Sequence, residues 1–289
     1  MDRDITICSV HPLLYTDHVM KQPPIKIISL NTQRGIFLEK ILSFFQSESP
    51  DILCIQEIYQ RDFEYIQQAL GMHGVFAPGV IFESQKYNSP VIEGVGIITP
   101  HTIKTHDIHT YTTNSGELSV ISDNHKPEMN LGSSENIEYT KQRNLVVVTI
   151  DIGNQSYTCA TTHFTWGYYG FIDPDSKQFV WQSNEESLQK QKHDMDSMIA
   201  HLQTFPDIIF AGDTNCPRGT EVFSMLSNIY TDHIPKEYMT SIDGNHHRAG
   251  ALPLMVDGLF STPHYNVSNV AFASDLSDHY ALRAHIEKL

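Results

Sequence analysis

The alternation of apolar and polar residues along the chain predicts many short strands with a few helices between them. Apolar runs of strand length end abruptly at polar residues, and turns or segments of helical periodicity separate them. The predicted strands are 5–10, 25–30, 51–57, 74–77, 94–99, 144–150, 157–163, 208–211, 254–260, 267–273 and 279–286. The predicted helices are 36–47, 61–70, 181–202 and 220–227.

The order of these elements favours an α/β sandwich of two sheets with helices on the outside. Strands outnumber helices, occur in both halves, and are joined partly by helices and partly by hairpins such as the one at Gly153. The long polar segment 109–142 shows no periodicity and is predicted to cross the surface. No repeat or low-complexity linker interrupts the chain, so we expect one domain over 1–289, with 1–24 as an N-terminal extension or edge strand.

Composition narrows the class of protein. The 289 residues carry a formal net charge of -15, which disfavours a protein that coats nucleic acid nonspecifically. A nuclease stays compatible, because carboxylates gathered around cations reverse the field that a phosphate meets. The first twenty residues lack the basic start and apolar core of a secretion signal. We expect a cytoplasmic monomer without stable membrane association, and export of an effector by a non-classical route is compatible with the same sequence.

The four cysteines are too far apart to form a Cys-x-x-Cys motif. Cys54 and Cys159 lie in apolar strands and are predicted to be reduced core residues. Cys216 follows a polar loop, but the local sequence supplies no base to activate it as a nucleophile.

The stretch 206–219 contains the clearest chemical signal. A short apolar strand ends in Gly212, Asp213, Thr214 and Asn215, which places a carboxylate and an amide two positions apart on the loop that leaves the strand. Gly212 is expected to let the backbone turn there. A rigid strand followed by a polar loop is a common way to build a catalytic site.

Other predicted strands also end, or begin, at residues that bind cations or transfer protons. The full set is Asn31, Glu57, His163, Asp213, Asn215, Asp257, Asp278 and His279. Asp257 interrupts the apolar run 254–260, where an acid is unfavourable unless it has a partner. A single histidine or asparagine at a strand end is more often structural, so the hypothesis of a shared site depends on the joint placement of the set.

Six motifs in this order resemble those of the endonuclease/exonuclease/phosphatase superfamily, which has the fold of pancreatic deoxyribonuclease I. They are Ser29-Leu30-Asn31, Ile55-Gln56-Glu57, Thr162-His163-Phe164, Gly212-Asp213-Thr214-Asn215, Val256-Asp257-Gly258-Leu259 and Ser277-Asp278-His279. The resemblance runs from about residue 25 to residue 286. It implies a four-layered α/β sandwich, with two packed mixed, mainly antiparallel β-sheets flanked by helices, and metal-dependent cleavage of a phosphate ester.

The resemblance implies that Glu57 is the main ligand of Mg²⁺ or Mn²⁺, with Asn31 and Asp278 nearby. Hard oxygen ligands of this kind suit both ions, which retain several water ligands in proteins. The metal would neutralise charge during in-line displacement at phosphorus.

The catalytic roles come from the same resemblance. His279 would be the general base that activates water, and Asp257 would hold its ring in orientation. Asp213 and Asn215 would position the nucleophile and the phosphate. His163 would donate a hydrogen bond to a phosphate oxygen or protonate the leaving group.

Five further residues are candidates for supporting or substrate-binding roles. By the same resemblance, Glu93 would be a carboxylate that supports His163, and Arg143 would be a phosphate-binding arginine; the structural alternatives are a strand-end acid and a surface base. Trp166, on an aromatic loop after His163, could stack on a base or sugar, or could anchor the loop. His247 and Arg248, on the loop before the Asp257 strand, could contact a phosphate.

The shared motifs indicate the reaction more than the substrate. The leading hypothesis is a phosphodiesterase or nuclease that acts on nucleic acid or a nucleotide-like ester. Gly-Asp-Thr-Asn is also found in tyrosyl-DNA phosphodiesterases, but the tryptophans that accompany that group's other motifs are absent. An inositol-phosphate or sphingomyelinase-like phospholipid phosphohydrolase is the alternative enzyme. A degenerate binding or scaffold protein is the alternative outside enzymes, although Glu57, Asp213 and His279 are all present.

Overall fold

Two β-sheets pack face to face in the computed structural model, which describes residues 22–84, 86–112, 117–122, 141–167, 169–182 and 184–289. The predicted strand 5–10 lies outside the described residues. The strands are β1 (Ile25–Asn31), β2 (Ile52–Tyr59), β3 (His73–Ser84), β4 (Ser89–Thr99), β5 (Thr102–Thr110), β6 (Val120–Ser122), β7 (Asn144–Ile152), β8 (Gln155–Thr162), β9 (Gly170–Ile172), β10 (Phe179–Trp181), β11 (Ile209–Asp213), β12 (Thr231–Asp232), β13 (Asp257–Ser261), β14 (Tyr265–Ala273) and β15 (Ala281–Lys288). The helices are α1 (Leu38–Glu48), α2 (Gln60–Leu70), α3 (Glu185–Leu202) and α4 (Glu221–Ser227), and a 3₁₀ turn spans Gln33–Gly35.

Within the described ranges the first sheet has the strand order β14-β15-β1-β2-β4-β3-β6, and the second has the order β12-β13-β11-β8-β7-β5. Strands β9 and β10 form a separate hairpin. Pairing is antiparallel except for β1 with β2, β3 with β6, and β8 with β11. The prediction of two mixed, mainly antiparallel sheets is confirmed.

Side-chain alternation along the strands produces four layers. Inward residues such as Ile27, Cys54 and Cys159 form one buried cluster between the two sheets. Outward residues of the first sheet pack against α1 and α2, as Leu30 does with Phe45. Outward residues of the second sheet pack against α3 and α4. Each strand therefore has one face toward the opposite sheet and one toward a helix layer, as a period of two requires.

Several predicted boundaries are wrong. The helix predicted over 181–202 begins only at Glu185, because Trp181 pairs with Gly170 in the β9–β10 hairpin and Asn184 caps the helix by accepting a 2.9 Å hydrogen bond from Ser187 N. The strands predicted over 74–77 and 94–99 are parts of the longer β3–β4 hairpin.

The predicted surface segment 109–142 begins inside a strand. His109 and Thr110 end β5, which pairs antiparallel with β7 at the edge of the second sheet. The sequence of β5 predicts no strand, because apolar and polar residues do not alternate along it. Six of its nine residues are exposed in the structure. Residues 113–116 and 123–140 lie outside the described part of the chain. No helix among the described residues is long and apolar enough to cross a bilayer.

Candidate active site

Four of the candidate residues reach one end of the sandwich because they continue the inward face of their strands. Asn31 follows Ile25 and Ile27 on β1, and Asp213 follows Ile209 and Ala211 on β11, with the same parity as these core residues. By the same alternation, His163 directly follows β8 on its inward face, and Asp257 begins β13 on its inward face. The bridge between His163 and Asp213 and the pairing of Asp213 with Asp257 then place these side chains side by side.

Glu57 reaches the same space by a different route. Alternation on β2 places Cys54 and Gln56 between the sheets, so Glu57 should face α1 and α2. The register of β2 with β4 shifts between Ile55 and Ile58, and Glu57 has a positive φ of 47°. Such a bulge changes the direction of one side chain without ending the strand. The prediction that β2 stops at Glu57 is wrong, and the bulge explains why the residue resembles a strand end.

Asp213 is the centre of the cluster. Its side chain is 1% exposed and accepts 3.0 Å and 2.9 Å hydrogen bonds from Asn31 Nδ2 and Asn215 N. Burial, reinforced by the charge of Asp257, raises the pKa of Asp213 to about 7, and His279 and the two donors oppose this shift. Asn215, at a positive φ of 48°, donates from Nδ2 to Phe164 O at 2.9 Å.

His279 and Asp257 form a buried hydrogen-bonded pair. His279 Nδ1 lies 2.8 Å from Asp257 Oδ2, and His279 Nε2 faces Asp213 Oδ2 at 3.8 Å. Burial alone would lower the pKa of His279, but the charges of Asp257, Asp213 and Asp278 raise it well above its ordinary value. The pair therefore orients the ring and stabilises its protonated form.

Glu57 and His163 face the same acidic space. His163 Nε2 lies 3.5 Å from Glu57 Oε1 and 3.7 Å from Asp213 Oδ2. Burial raises the pKa of Glu57, but Lys141 and Arg34, with His279 and a hydrogen bond from Asn31, lower it overall. The Glu57 side chain is 23% exposed, so an ionised carboxylate is accessible from the cleft.

The donor set around Glu57 fits a hard divalent cation. Burial and the neighbouring charge of Glu57 raise the pKa of Asp278, so these two carboxylates repel each other and a cation would relieve the repulsion. Ligand atoms of Asp213, Asp257 and His279 also lie within 4.8 Å of one another. The 2.8 Å bond between Asp257 and His279 already engages one oxygen and one nitrogen of that group, and the expectation that Glu57, Asp278 and Asn31 hold the metal stays a prediction.

Solved structures with the same arrangement of strands and helices decide the fold. An endonuclease/exonuclease/phosphatase from Beutenbergia cavernae superposes with a TM-score of 0.65 at 14% identity, covering 92% of this chain and 72% of that one. The fold is that of the endonuclease/exonuclease/phosphatase superfamily. The human Nocturnin catalytic domain gives 0.64 at 15% identity, covering 93% and 95%, and a humanised D. rerio TDP2 gives 0.62 at 15%, covering 92% and 99%. No protein-family model matches the sequence, and no curated protein matches it.

In this endonuclease/exonuclease/phosphatase fold, the close approach of two strands explains Gly212. The expectation that Gly212 supplies the turn is wrong: it lies inside β11, and a Cβ there would come within 2.6 Å of Thr162 O. The turn occurs at Asn215, whose positive φ suits an asparagine. Cys216 is fully buried and burial raises the pKa of its thiol, in agreement with a structural role.

Two supporting candidates lie beneath His163. Arg143 Nη1 donates to His163 O at 3.2 Å, and Glu93 Oε1 lies 3.6 Å from Lys141 Nζ. All four residues line a cavity of about 20 Å³. Arg143 and Glu93 are each 3% exposed, so they are suited to holding the His163 loop more than to contacting a large ligand.

The structure places the remaining candidates at different depths. His247 is half-buried, and burial with the charges of His279 and Arg248 lowers its pKa to about 4, whereas Glu57 opposes this shift. His247 therefore lies within electrostatic range of the cluster. Arg248 is exposed beside it, and Trp166 is half-buried on the loop after His163.

Sequence reasoning missed Gln191, a residue of α3 that joins the two loops of the cluster. Its side chain is 1% exposed, and Nε2 donates to Thr165 O at 2.7 Å and to Asn215 O at 3.3 Å. Its Oε1 accepts from Tyr169, and a Cβ at Gly167 would lie 2.3 Å from it. The sequence signal that could have identified Gln191 is a polar residue at a helix position whose neighbours on the same face include buried apolar residues.

Substitution of Gln191 by leucine is expected to lower the free energy of unfolding by about 1–3 kcal/mol, because buried backbone acceptors lose their donor. Chemical denaturation of Gln191→Leu against the wild type measures the effect. The control is Gln189→Leu, which removes an exposed glutamine two residues away whose Nε2 donates to Glu185 Oε1 at 2.7 Å. Equal midpoints for the two variants would contradict a role in joining the loops.

Proposed function

We propose that this protein is a divalent-metal-dependent phosphoric ester hydrolase that cleaves a phosphodiester by attack of activated water. The observation that carries the proposal is the convergence of the His279–Asp257 pair, Asp213 and Glu57 at one end of the sandwich. Acids, a base and an oriented carboxylate in one buried cluster suit phosphoryl transfer, which depends on positioning and charge stabilisation.

The 3.8 Å between His279 Nε2 and Asp213 Oδ2 is too long for a direct hydrogen bond, and it matches two acceptors that share one water. We propose that this water is the nucleophile. It donates one hydrogen to Asp213 and the other to Nε2 of the neutral His279, which takes the proton as attack begins; a cation held at Glu57 and Asp278 would oppose the acidic groups that favour the protonated ring. Asp257 accepts from Nδ1 and stabilises the imidazolium that forms.

His163 lies across the same space, 3.7 Å from Asp213 Oδ2. In the proposed mechanism it donates to a phosphoryl oxygen or to the leaving group. Asn215 holds the adjoining backbone through Phe164 O, and Asn31 fixes Asp213 from the opposite sheet. A Mg²⁺ or Mn²⁺ ion held by Glu57, Asp278 and Asn31 would supply Lewis-acid polarisation and charge neutralisation.

A nucleic acid or nucleotide-like ester is the substrate that we propose. Zebrafish TDP2 has been solved in complex with a single-strand DNA product, with a TM-score of 0.60 at 14% identity, and this supports the proposal. Despite the net charge of -15, Arg34 and Arg248 lie beside the cleft with access to solvent, where a phosphate backbone would meet them, and the buried Lys141 and Arg143 add positive potential.

Hydrolysis of a substrate panel tests the proposal. Single-stranded DNA, duplex DNA, RNA and bis(p-nitrophenyl) phosphate should be assayed with Mg²⁺ or Mn²⁺ and again with EDTA, beside an inositol polyphosphate and sphingomyelin vesicles. We expect cleavage of at least one nucleotide substrate and its loss in EDTA. Inactivity on every phosphodiester would refute the proposal, and activity on the inositol phosphate or lipid alone would support the alternative enzyme class.

A further inference from the structure

The chain after Asn31 adopts a sterically unfavourable conformation. Gln33, Arg34 and Gly35 have successive φ values of 49°, 57° and 66°. Only glycine adopts this left-handed region freely, and consecutive non-glycine residues there are rare. Backbone strain of this kind persists only where the surroundings impose it, and it clusters at ligand-binding sites.

Contacts on both sides of the turn impose that conformation. Thr32 donates from its backbone N to Gln56 O and from Oγ1 to Glu57 O, both at 2.9 Å. Gly35 O accepts a 3.1 Å hydrogen bond from Lys86 Nζ, which also lies 3.2 Å from Asp62 Oδ2. The turn is therefore fixed to the backbone that carries Glu57.

The fixed turn directs Arg34 across the sheet toward β3. Arg34 Cζ lies 5.1 Å from the ring centroid of Phe82, and Lys141 Nζ lies 5.5 Å from the same ring. The Phe82 ring packs against Tyr59, two residues after Glu57, at a centroid distance of 6.3 Å. Two cations thus share one aromatic side chain beside Glu57.

Sheet order determines on which side of Glu57 this pair lies. The order is β15-β1-β2-β4-β3, with Glu57 on β2 and Phe82 on β3. Asp278, just before β15, lies toward the opposite edge. A substrate with its scissile phosphate beside Asp213 and His279 and a second anionic group extended toward β3 would meet Arg34 there.

We propose that Arg34 binds a second phosphate group of the substrate, adjacent to the phosphate that is cleaved. Arg34 is half-buried, and a guanidinium is a planar fork of donors that suits phosphate, whereas Lys141 is 6% exposed and contributes positive potential. The ligand class is a nucleotide with phosphates on both the 3′ and the 5′ side. This inference rests on the proposed function, since it deepens the specificity of the same cleft.

An alternative role for Arg34 is to balance the charge of Glu57, which needs no second phosphate. The two roles predict different behaviour. Charge balance would change the binding of all phosphate ligands by a similar factor, whereas a second-phosphate site distinguishes ligands with one phosphate from ligands with two.

Binding of thymidine 3′,5′-bisphosphate, compared with thymidine 5′-monophosphate and 3′-monophosphate, tests the proposal. Isothermal titration in Mg²⁺ buffer should show the bisphosphate binding about 10- to 100-fold more tightly than either monophosphate, as an added charge-assisted contact predicts. Arg34→Gln should reduce this ratio to near one, and Arg34→Lys should restore part of it. The control is Arg283→Gln, on the other side of the sheet, where Arg283 Nη1 bonds Glu48 at 2.7 Å.

An unchanged ratio in Arg34→Gln, or equal affinity of the wild type for the three nucleotides, would overturn the second-phosphate site. These probes contain no phosphodiester bond, so the outcome does not depend on hydrolysis. Failure of the proposed function appears separately, as inactivity on the phosphodiester panel with intact preference for the bisphosphate.

Discussion

Replacement of His279 by alanine is expected to lower kcat for bis(p-nitrophenyl) phosphate by a factor on the order of 10²–10⁴, the usual contribution of a general base. His279 Nε2 faces Asp213, and no other histidine among the described residues is hydrogen-bonded to Asp257. KM should change much less, because the ring acts on the attacking water. Steady-state kinetics in saturating Mn²⁺ measure both constants.

Two further variants show whether the pair acts as one unit. Asp257→Asn should lose most of the same activity, since it removes the carboxylate that orients the ring, and the double variant should be little worse than His279→Ala alone. The control is His264→Ala, an exposed histidine beyond the far end of β13. Wild-type kinetics for His279→Ala would refute the mechanism.

His279→Ala also leaves the buried Asp213 and Asp257 without the ring that lies between them. His279→Asn therefore serves as a second variant, because it retains a polar group in the buried space. Thermal unfolding of both variants shows whether a loss of activity follows from loss of structure. Retained folding with lost activity supports the role as base.

The second large effect is expected for Glu57→Gln, which keeps the shape of the side chain and removes its charge. Activity should fall by a factor on the order of 10²–10³, the usual cost of losing one electrostatic contributor to phosphoryl transfer. Lys141 and Arg34, which lower the pKa of Glu57, would then repel a cation without the opposing carboxylate. Affinity for Mn²⁺ should fall with activity.

Isothermal titration with Mn²⁺ tests this prediction without turnover. In the wild type, Mn²⁺ at about 100 times its Kd should raise the free energy of unfolding by about 2.7 kcal/mol. This gain should largely disappear in Glu57→Gln. Glu64→Gln, on the exposed face of α2, is the matched control. Unchanged Mn²⁺ affinity in Glu57→Gln would assign the metal to other residues.

The candidate site was predictable to the extent that it follows strand parity. Asn31, His163, Asp213 and Asp257 continue the inward face of strands whose apolar residues already mark that face. Hydrophobic alternation and the position of the strand end are local properties of the sequence, so the resemblance of the motifs had a physical basis. The order of the elements favours two sheets with helices outside them, and the resemblance of the motifs implies the four layers.

Features that depend on contacts between distant segments were not predictable. Glu57 has the wrong parity for the cleft, and only the bulge against β4 turns it inward. The sequence predicts a turn at Gly212, because a glycine after an apolar run indicates a turn. The actual reason for the glycine, its close contact with Thr162 O, involves another strand and is not visible locally. Strand β5 has too few buried residues for an alternation signal, and its pairing with β7 defines it.

Local sequence patterns predict most of the long strands and the acids, amides and histidines at their ends, because a period of two and a strand end are local properties. The tertiary structure decided which groups act together. It placed His279 on Asp257, Gln191 between two loops, and Arg34 with Lys141 beside Glu57. Such pairings join residues far apart in the chain, so they depend on sheet order and register, which no local pattern specifies.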